Sequence, residues 1–243
     1  MVSEWTFNSP AVANITEDSW GNNNGTLMGA NGLPQLQSKE NCVYGTCYLF
    51  DGFDDYMEVS DNVSLDISSN ITITAWIKLE NIRESVYEAF VSKLSTNNDT
   101  PNSPYGLWAW RGGLSAGGIV FRIMTGTGVL RAVQTNSSPE EHRWYHIVGT
   151  YDGSEMKIYQ DGSLKNTTAT TDSIQINDKP LRLGYWSESD FFNGFIDDVR
   201  IYNNALSSSQ IKQEYVAGLN SLLANNNISK EEYNLQIESL ASK

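Results

Sequence analysis

The chain has 243 residues and a formal charge of −13. Such an acidic surface is repelled by phosphate, which excludes nucleic acid and anionic membrane surfaces as expected partners and leaves cations and neutral ligands such as glycans. Its 7 Trp, 12 Tyr and 8 Phe suffice for the core of one large β domain or two small ones, and no apolar run approaches the roughly 18 residues of a membrane span.

The opening MVSEWTFNSP has no basic region followed by an apolar one. An exported protein would therefore be expected here as a mature form or an excised domain. Next comes EDSWGNNNG, a turn dense in carbonyl and amide oxygens around Asp18. Cys42 and Cys47 are the only cysteines, in NCVYGTCYLF. Four residues including a Gly separate them, which suits a small disulfide-closed loop, the alternative being two free thiols. A zinc site would need more ligands. The N-x-S/T sequons at Asn14, Asn24, Asn62, Asn70, Asn98, Asn136, Asn166 and Asn227 suit a glycosylated surface protein, or follow from an Asn/Ser/Thr-rich composition.

From Trp5 to about Tyr202 the pattern is strand and turn. ITITAWIKL alternates, with Ile71, Ile73, Ala75 and Ile77 on one face and Thr72, Thr74, Trp76 and Lys78 on the other. GIVFRIMTG and PLRLGYW read as further strands. No βαβ rhythm appears, so an antiparallel sandwich or jelly roll is expected. In RWYHIVGTYDGSEMKIYQDGSLKN the Asp152-Gly153 and Asp161-Gly162 pairs suit tight hairpin turns. They predict strands at 144–151, 155–160 and 164–170. His146 lies mid-strand among aromatics, as a hydrogen-bonded core histidine does. The tail changes character. Ser207 with Gln210 and Ser229 with Glu232 fit capping boxes. Ile211, Tyr215, Leu219 and Leu222, then Tyr233, Ile237 and Leu240, recur at helical spacing. Two helices are expected at 207–224 and 229–242, as an extension (207–243) of a sandwich spanning 1–206. Their apolar stripes need a partner: the sandwich, each other, or another chain in self-association.

WYHIVGTYDGSEMKIYQDG resembles a signature of laminin-G-like, concanavalin A-like jelly-roll modules. So do DSWGNNNGTL, YLFDGFDDYMEVSDNVSLDISSNITITAWIKL and LRLGYWSESDFFNGFIDDVRIYNNALSSSQI, in the family's order. Together they cover roughly residues 3–215. The resemblance implies two packed, curved antiparallel sheets with His146 in a structural role. It also implies a structural Ca²⁺ joining the N-terminal Asp loop to the last-strand Asp. Carried onto this chain, the ligands would be Asp18, Gly21, Asn24 and Asp197. Trp20 stands where the family usually has Gly, which puts the loop in doubt. In GFIDDVRIY, Asp197 alternates with Phe195, Val199 and Ile201, so it is expected on the apolar side. There a carboxylate must be paired, metal-bound or hydrogen-bonded to backbone amides.

Glycoside hydrolysis on this fold needs two flanking carboxylates, and the E-x-D-x-E string of the family's glucanases is absent. Glu188 and Asp190 are two apart; Glu84 and Glu88 are four apart, as on one helix face. No catalytic residue is assigned. For binding, YGLWAWRGG puts Trp108 and Trp110 on one strand face beside Arg111. GYWSESDFF adds Trp186, Phe191 and Phe192 near Glu188 and Asp190. These are the expected ligand contacts, unless the Trp residues are core. The expected protein is an extracellular, calcium-stabilised recognition module for glycans or surface proteins. The alternatives are a structural subunit of a surface assembly and a hydrolase with a non-standard carboxylate pair.

Overall fold

The computed structural model describes residues 1–81, 87–93, 103–110, 117–187 and 190–241. Two antiparallel sheets face each other, as the alternating strands require. The first sheet runs Ser163–Ala169, Glu155–Gln160, Trp144–Tyr151, Ile71–Leu79, Asn193–Tyr202, Cys47–Asp51, Gln35–Gln37, and Ser3–Trp5 also pairs with Asn193–Tyr202. The second runs Leu130–Gln134, Gly118–Met124, Tyr105–Trp110, Tyr87–Lys93, Leu181–Leu183, Tyr56–Val59, Gly25–Met28, Ile15–Thr16. A small hairpin, Tyr185–Ser187 with Asp190–Phe191, stands apart from both. Between the sheets lies one core. Ile71, Ile73, Ala75, Ile77 and Leu79 supply its centre from one side, and Leu107, Phe121 and Leu183 from the other.

The Asp-Gly hairpins form at Trp144–Tyr151, Glu155–Gln160 and Ser163–Ala169. Asp161 (φ 54°) and Gly162 (φ 68°) both occupy the left-handed region, as the tight primed turn demands. The Asp161 carboxylate accepts the His146 N–H (3.1 Å) and Arg143 Nη2 (2.8 Å), so it locks the turn to the neighbouring strand. The turn at Asp152 is looser. Only Gly153 has positive φ, and Asp152 Oδ1 accepts the Ser154 and Glu155 N–H groups.

One strand breaks its own alternation. Pairing of Asn193–Tyr202 with Ile71–Leu79 slips between Asp197 and Arg200, and Asp198 takes a φ of 48°. A bulge of this kind shifts the side-chain phase by one residue. Ile196, Val199 and Ile201 therefore point into the core, while Phe195 packs on the opposite side. Asp197 is not in phase with Val199 and Ile201, as strict alternation predicts. Its register partner is Trp76, on the sheet's outer side, and its Oδ2 accepts the Val43 and Tyr44 N–H groups, each at 2.9 Å.

That outer side is covered by α1 (Ser208–Ala224) and α2 (Lys230–Ala241). The Ser207–Gln210 capping box is complete, and Ser229 Oγ accepts the Glu232 N–H at 3.0 Å. Ile211, Tyr215, Leu219 and Leu222 are buried. Tyr215, Leu219, Leu222 and Leu240 pack with Trp76, Trp144 and Phe195 of the sheet, and Tyr233 and Ile237 border them. The helices' partner is thus the sandwich itself. Tyr215 stacks on Trp76 with ring centroids 5.7 Å apart, and His146 lies 5.0 Å from the same indole. A Cβ at Gly218 would run into Trp76, so only glycine lets α1 approach this closely. Cys42 and Cys47 are disulfide-bonded, and their loop joins the cluster. The Val43 carbonyl accepts from Ser221 Oγ and Asn225 Nδ2 of the helical hairpin. Among the described residues no helix is long and apolar enough to cross a membrane.

Candidate functional site

The second sheet's outer face presents a different surface. Along Tyr56–Val59, Met57 and Val59 enter the core, so Tyr56 and Glu58 point out; Arg182 points out between Leu181 and Leu183. Pairing sets Arg182 opposite Glu58, and Glu58 Oε2 accepts from Arg182 Nε (2.9 Å) and Nη2 (2.7 Å). This pairing holds the guanidinium beside two rings, 4.3 Å from the Tyr185 centroid and 5.0 Å from Tyr56. Tyr185 meets Tyr56 at 5.2 Å and the edge of Phe191 at 5.1 Å. Together with Phe53, Asp54 and the Met28–Ala30 turn these side chains line an open groove of about 570 Å³. Phe53 is 78% exposed at its rim. The turn that projects it is tied by Asp51 Oδ1, which accepts the Phe53 N–H (2.8 Å) and Asp54 N–H (3.3 Å). Burial, reinforced by the Asp51 charge, raises the pKa of Asp55 behind this turn to about 6.

The tryptophans expected to bind ligand lie on the same outer face. Trp108 is fully buried and meets Trp186 edge-on at 5.2 Å, so it backs Trp186 rather than offering a surface of its own. Trp110 stacks on Tyr87 at 5.6 Å, and the Arg122 guanidinium lies 4.2 Å from the Tyr87 ring. Asp190 Oδ2 accepts from Ser187 Oγ at 2.6 Å and closes the hairpin that carries Tyr185 and Trp186. Arg111, Glu188 and Glu84 lie outside the described residues. Glu88 sits in the strand Tyr87–Lys93, not on a helix. Phe53, Tyr56, Arg182 and Tyr185 are absent from the sequence-based set. Period-two reading of YMEV and LRL would have turned Tyr56 and Arg182 outward, but nothing in either stretch says the two strands are neighbours.

The residues assigned to Ca²⁺ fall into two separate clusters. Asp18 Oδ1 accepts the N–H groups of Glu4 (2.9 Å), Trp20 (3.1 Å) and Gly21 (2.8 Å), and Oδ2 that of Asn23 (3.0 Å). Asn24 Oδ1 accepts the Asp18 N–H at 3.0 Å. The loop is thereby tied to Ser3–Trp5, and through it to Asn193–Tyr202. Beside Gly21 the Val2 carbonyl oxygen and Asp18 Oδ2 converge, 2.5 and 2.6 Å from where a Cβ would stand. A side chain at position 21 would collide with both oxygens, so glycine is required where the loop passes this close. Asp197 faces the disulfide loop instead. Its Oδ1 is buried without a hydrogen-bond partner, and burial raises its pKa well above the carboxylate range.

A family model described as the concanavalin A-like lectin/glucanases superfamily matches residues 50–212. The chain belongs to this superfamily. Among solved structures, this concanavalin A-like chain is similar to domain 4 of AbnA, a GH43 extracellular arabinanase from Geobacillus stearothermophilus, in complex with arabinotriose. The two are 19% identical with a TM-score of 0.66, over 87% of this chain and 96% of that one. It is also similar to the receptor-binding domain of a botulinum neurotoxin C/D mosaic serotype (18% identity, TM-score 0.67). A third likeness is the binding domain of Paraclostridial Mosquitocidal Protein 1 (18%, TM-score 0.62). Those two alignments take in 90% and 86% of this chain and about half of each toxin domain (51%). These likenesses establish the jelly-roll fold. A search of curated proteins found no match.

Proposed function

We propose that this chain is an extracellular recognition module that binds carbohydrate in the groove between Phe53, Tyr56, Arg182 and Tyr185. The observation that carries the reading is an aromatic-lined groove with a guanidinium and the Asp54 carboxylate at its edges. Sugar rings lay their C–H faces on aromatic side chains and direct hydroxyls to a few fixed polar groups. Among the groove's described lining residues Asp54 is the one carboxylate. Hydrolysis needs two, so the groove suits binding rather than cleavage. The bound arabinotriose in domain 4 of AbnA supports a saccharide as the ligand class. The Cys42–Cys47 disulfide supports an oxidising, extracellular setting. A structural Ca²⁺ at the Asp18 loop belongs to the same reading. It would brace the N-terminal loop, take no part in ligand contact, and raise the melting temperature over that in EDTA. The deciding experiment is a glycan array followed by calorimetry on the oligosaccharides that score. Arabinotriose is the first ligand to titrate. Binding lost in Tyr185→Ala at unchanged melting temperature is the expected result. An array with no saccharide signal would remove the proposal.

A further inference from the structure

We propose that Asp51, Asp54 and Asp55, together with the Gly32 carbonyl, form a Ca²⁺ site at the rim of the groove, separate from the Asp18 loop. One carboxylate oxygen from each aspartate lies within 4.8 Å of the other two. Three negative charges this close repel one another unless a cation lies among them. No Lys or Arg pairs with any of the three among the described residues. Their partners are uncharged: Asp51 Oδ1 holds the Phe53 and Asp54 N–H groups, Asp54 Oδ2 takes the Asn31 N–H, and Asp55 Oδ2 takes the Asp51 N–H at 3.3 Å. The Oδ1 atoms of Asp54 and Asp55 are buried with no hydrogen-bond partner. A buried carboxylate oxygen left unpaired bears its full desolvation penalty, which a bound cation would relieve.

A second observation does not depend on the acidic cluster. Asp55 is only 3% exposed, and its unpartnered Oδ1 lies close against Gly29. A Cβ on Gly29 would stand 2.8 Å from that oxygen and would collide with the Gly32 carbonyl oxygen. A carboxylate oxygen and a neutral backbone oxygen thus come close together where only glycine lets the chain pass, and one cation could take both. Ca²⁺ takes six to eight oxygens from carboxylates, carbonyls and water in flexible geometry, which matches this donor set. The Phe53 turn and the Met28–Ala30 turn flank the cation, so it would fix two walls of the groove. The site itself stands whether or not the groove's ligand is a sugar.

Calorimetric titration of Ca²⁺ into the EDTA-treated full chain tests it. Wild type should bind, and Asp18→Asn should retain this site. Asp54→Asn, which removes a charge, and Gly29→Ala, which pushes a methyl group against Asp55 Oδ1 and the Gly32 carbonyl and leaves every charge in place, should each weaken it tenfold or more. Circular dichroism confirms that both variants are folded. The site is overturned if wild type shows no binding up to about 5 mM, beyond the range of extracellular calcium modules, or if either folded variant binds Ca²⁺ as wild type does.

Discussion

The two outer faces of the sandwich are built from the same materials and end differently. On the first sheet, Lys78 Nζ lies 3.9 Å from the Phe195 ring and 5.5 Å from that of Trp144. On the second, Arg182 lies over Tyr185 and Tyr56. Each face is a cation on an aromatic floor, which alone would read as a binding surface. The first is largely covered by the chain itself: α1, α2 and the disulfide loop pack on it and leave a pocket of about 210 Å³ beside Lys78 and Trp144. The second is left open, with Phe53 standing free at its edge. Composition does not separate a packing face from a binding face; what covers it does.

This contrast can be broken or sharpened by substitution. The largest effect is expected from Trp76→Ala, which empties the space beneath α1 and should cost about 3–5 kcal/mol in urea denaturation, while leaving oligosaccharide affinity unchanged in the folded fraction. Gly218→Ala forces a methyl group into the same indole and should cost about 1–3 kcal/mol by overpacking. Replacing both cysteines by serine should cost about 2 kcal/mol from loop entropy, read from the same denaturation curves. Any excess measures how firmly the loop presents its Val43 and Tyr44 amides to Asp197. On the open face the pattern should invert. Tyr185→Ala should leave the melting temperature within a degree or two of wild type yet lower saccharide affinity about tenfold, some 1.4 kcal/mol.

The smallest effect near neutrality concerns pH. Burial, with Arg200 adding to it, lowers the pKa of His146 from 6.5 to about 3. The unfolded chain binds this proton below pH 6.5 and the folded chain does not, so stability is present above 6.5 and falls as pH drops towards 3. Asp198 acts in the opposite direction, because burial raises its pKa to about 6. The His146 contribution is therefore the difference between wild type and His146→Phe, measured by denaturation at several pH values. It should be slight at pH 7 and grow steadily down to pH 3. A constant difference across that range would mean that His146 titrates normally.

Much of the scaffold was legible. Asp161-Gly162, the alternation of Ile71–Leu79 and the Ser207–Gln210 cap are local signals, and each appears where its residues place it. Asp197 was misplaced in phase because a bulge inserts one residue into the count, and no residue type in GFIDDVRIY announces it. The groove was legible only in part. Phe191 of GYWSESDFF lines it, whereas Trp186 and Asp190 of the same stretch lie outside its lining and Phe192 is core. Tyr56 and Arg182 meet only because residues 56–59 and 181–183 pair across more than a hundred positions, a long-range fact that single-sequence periodicity does not carry. The buried state of Trp108 was hidden for a related reason. Its cover, Trp186, arrives from a distant hairpin.

The central position of Asn193–Tyr202 has a consequence for how the molecule is made. It lies between Ile71–Leu79 and Cys47–Asp51, so both wait for it with open hydrogen-bonding edges. During translation, no earlier segment can finish this layer, and the two strands remain templates for mispairing until residue 202 has left the ribosome. Refolding from denaturant should accordingly be slow, in the millisecond-to-second range of proteins dominated by non-local pairing.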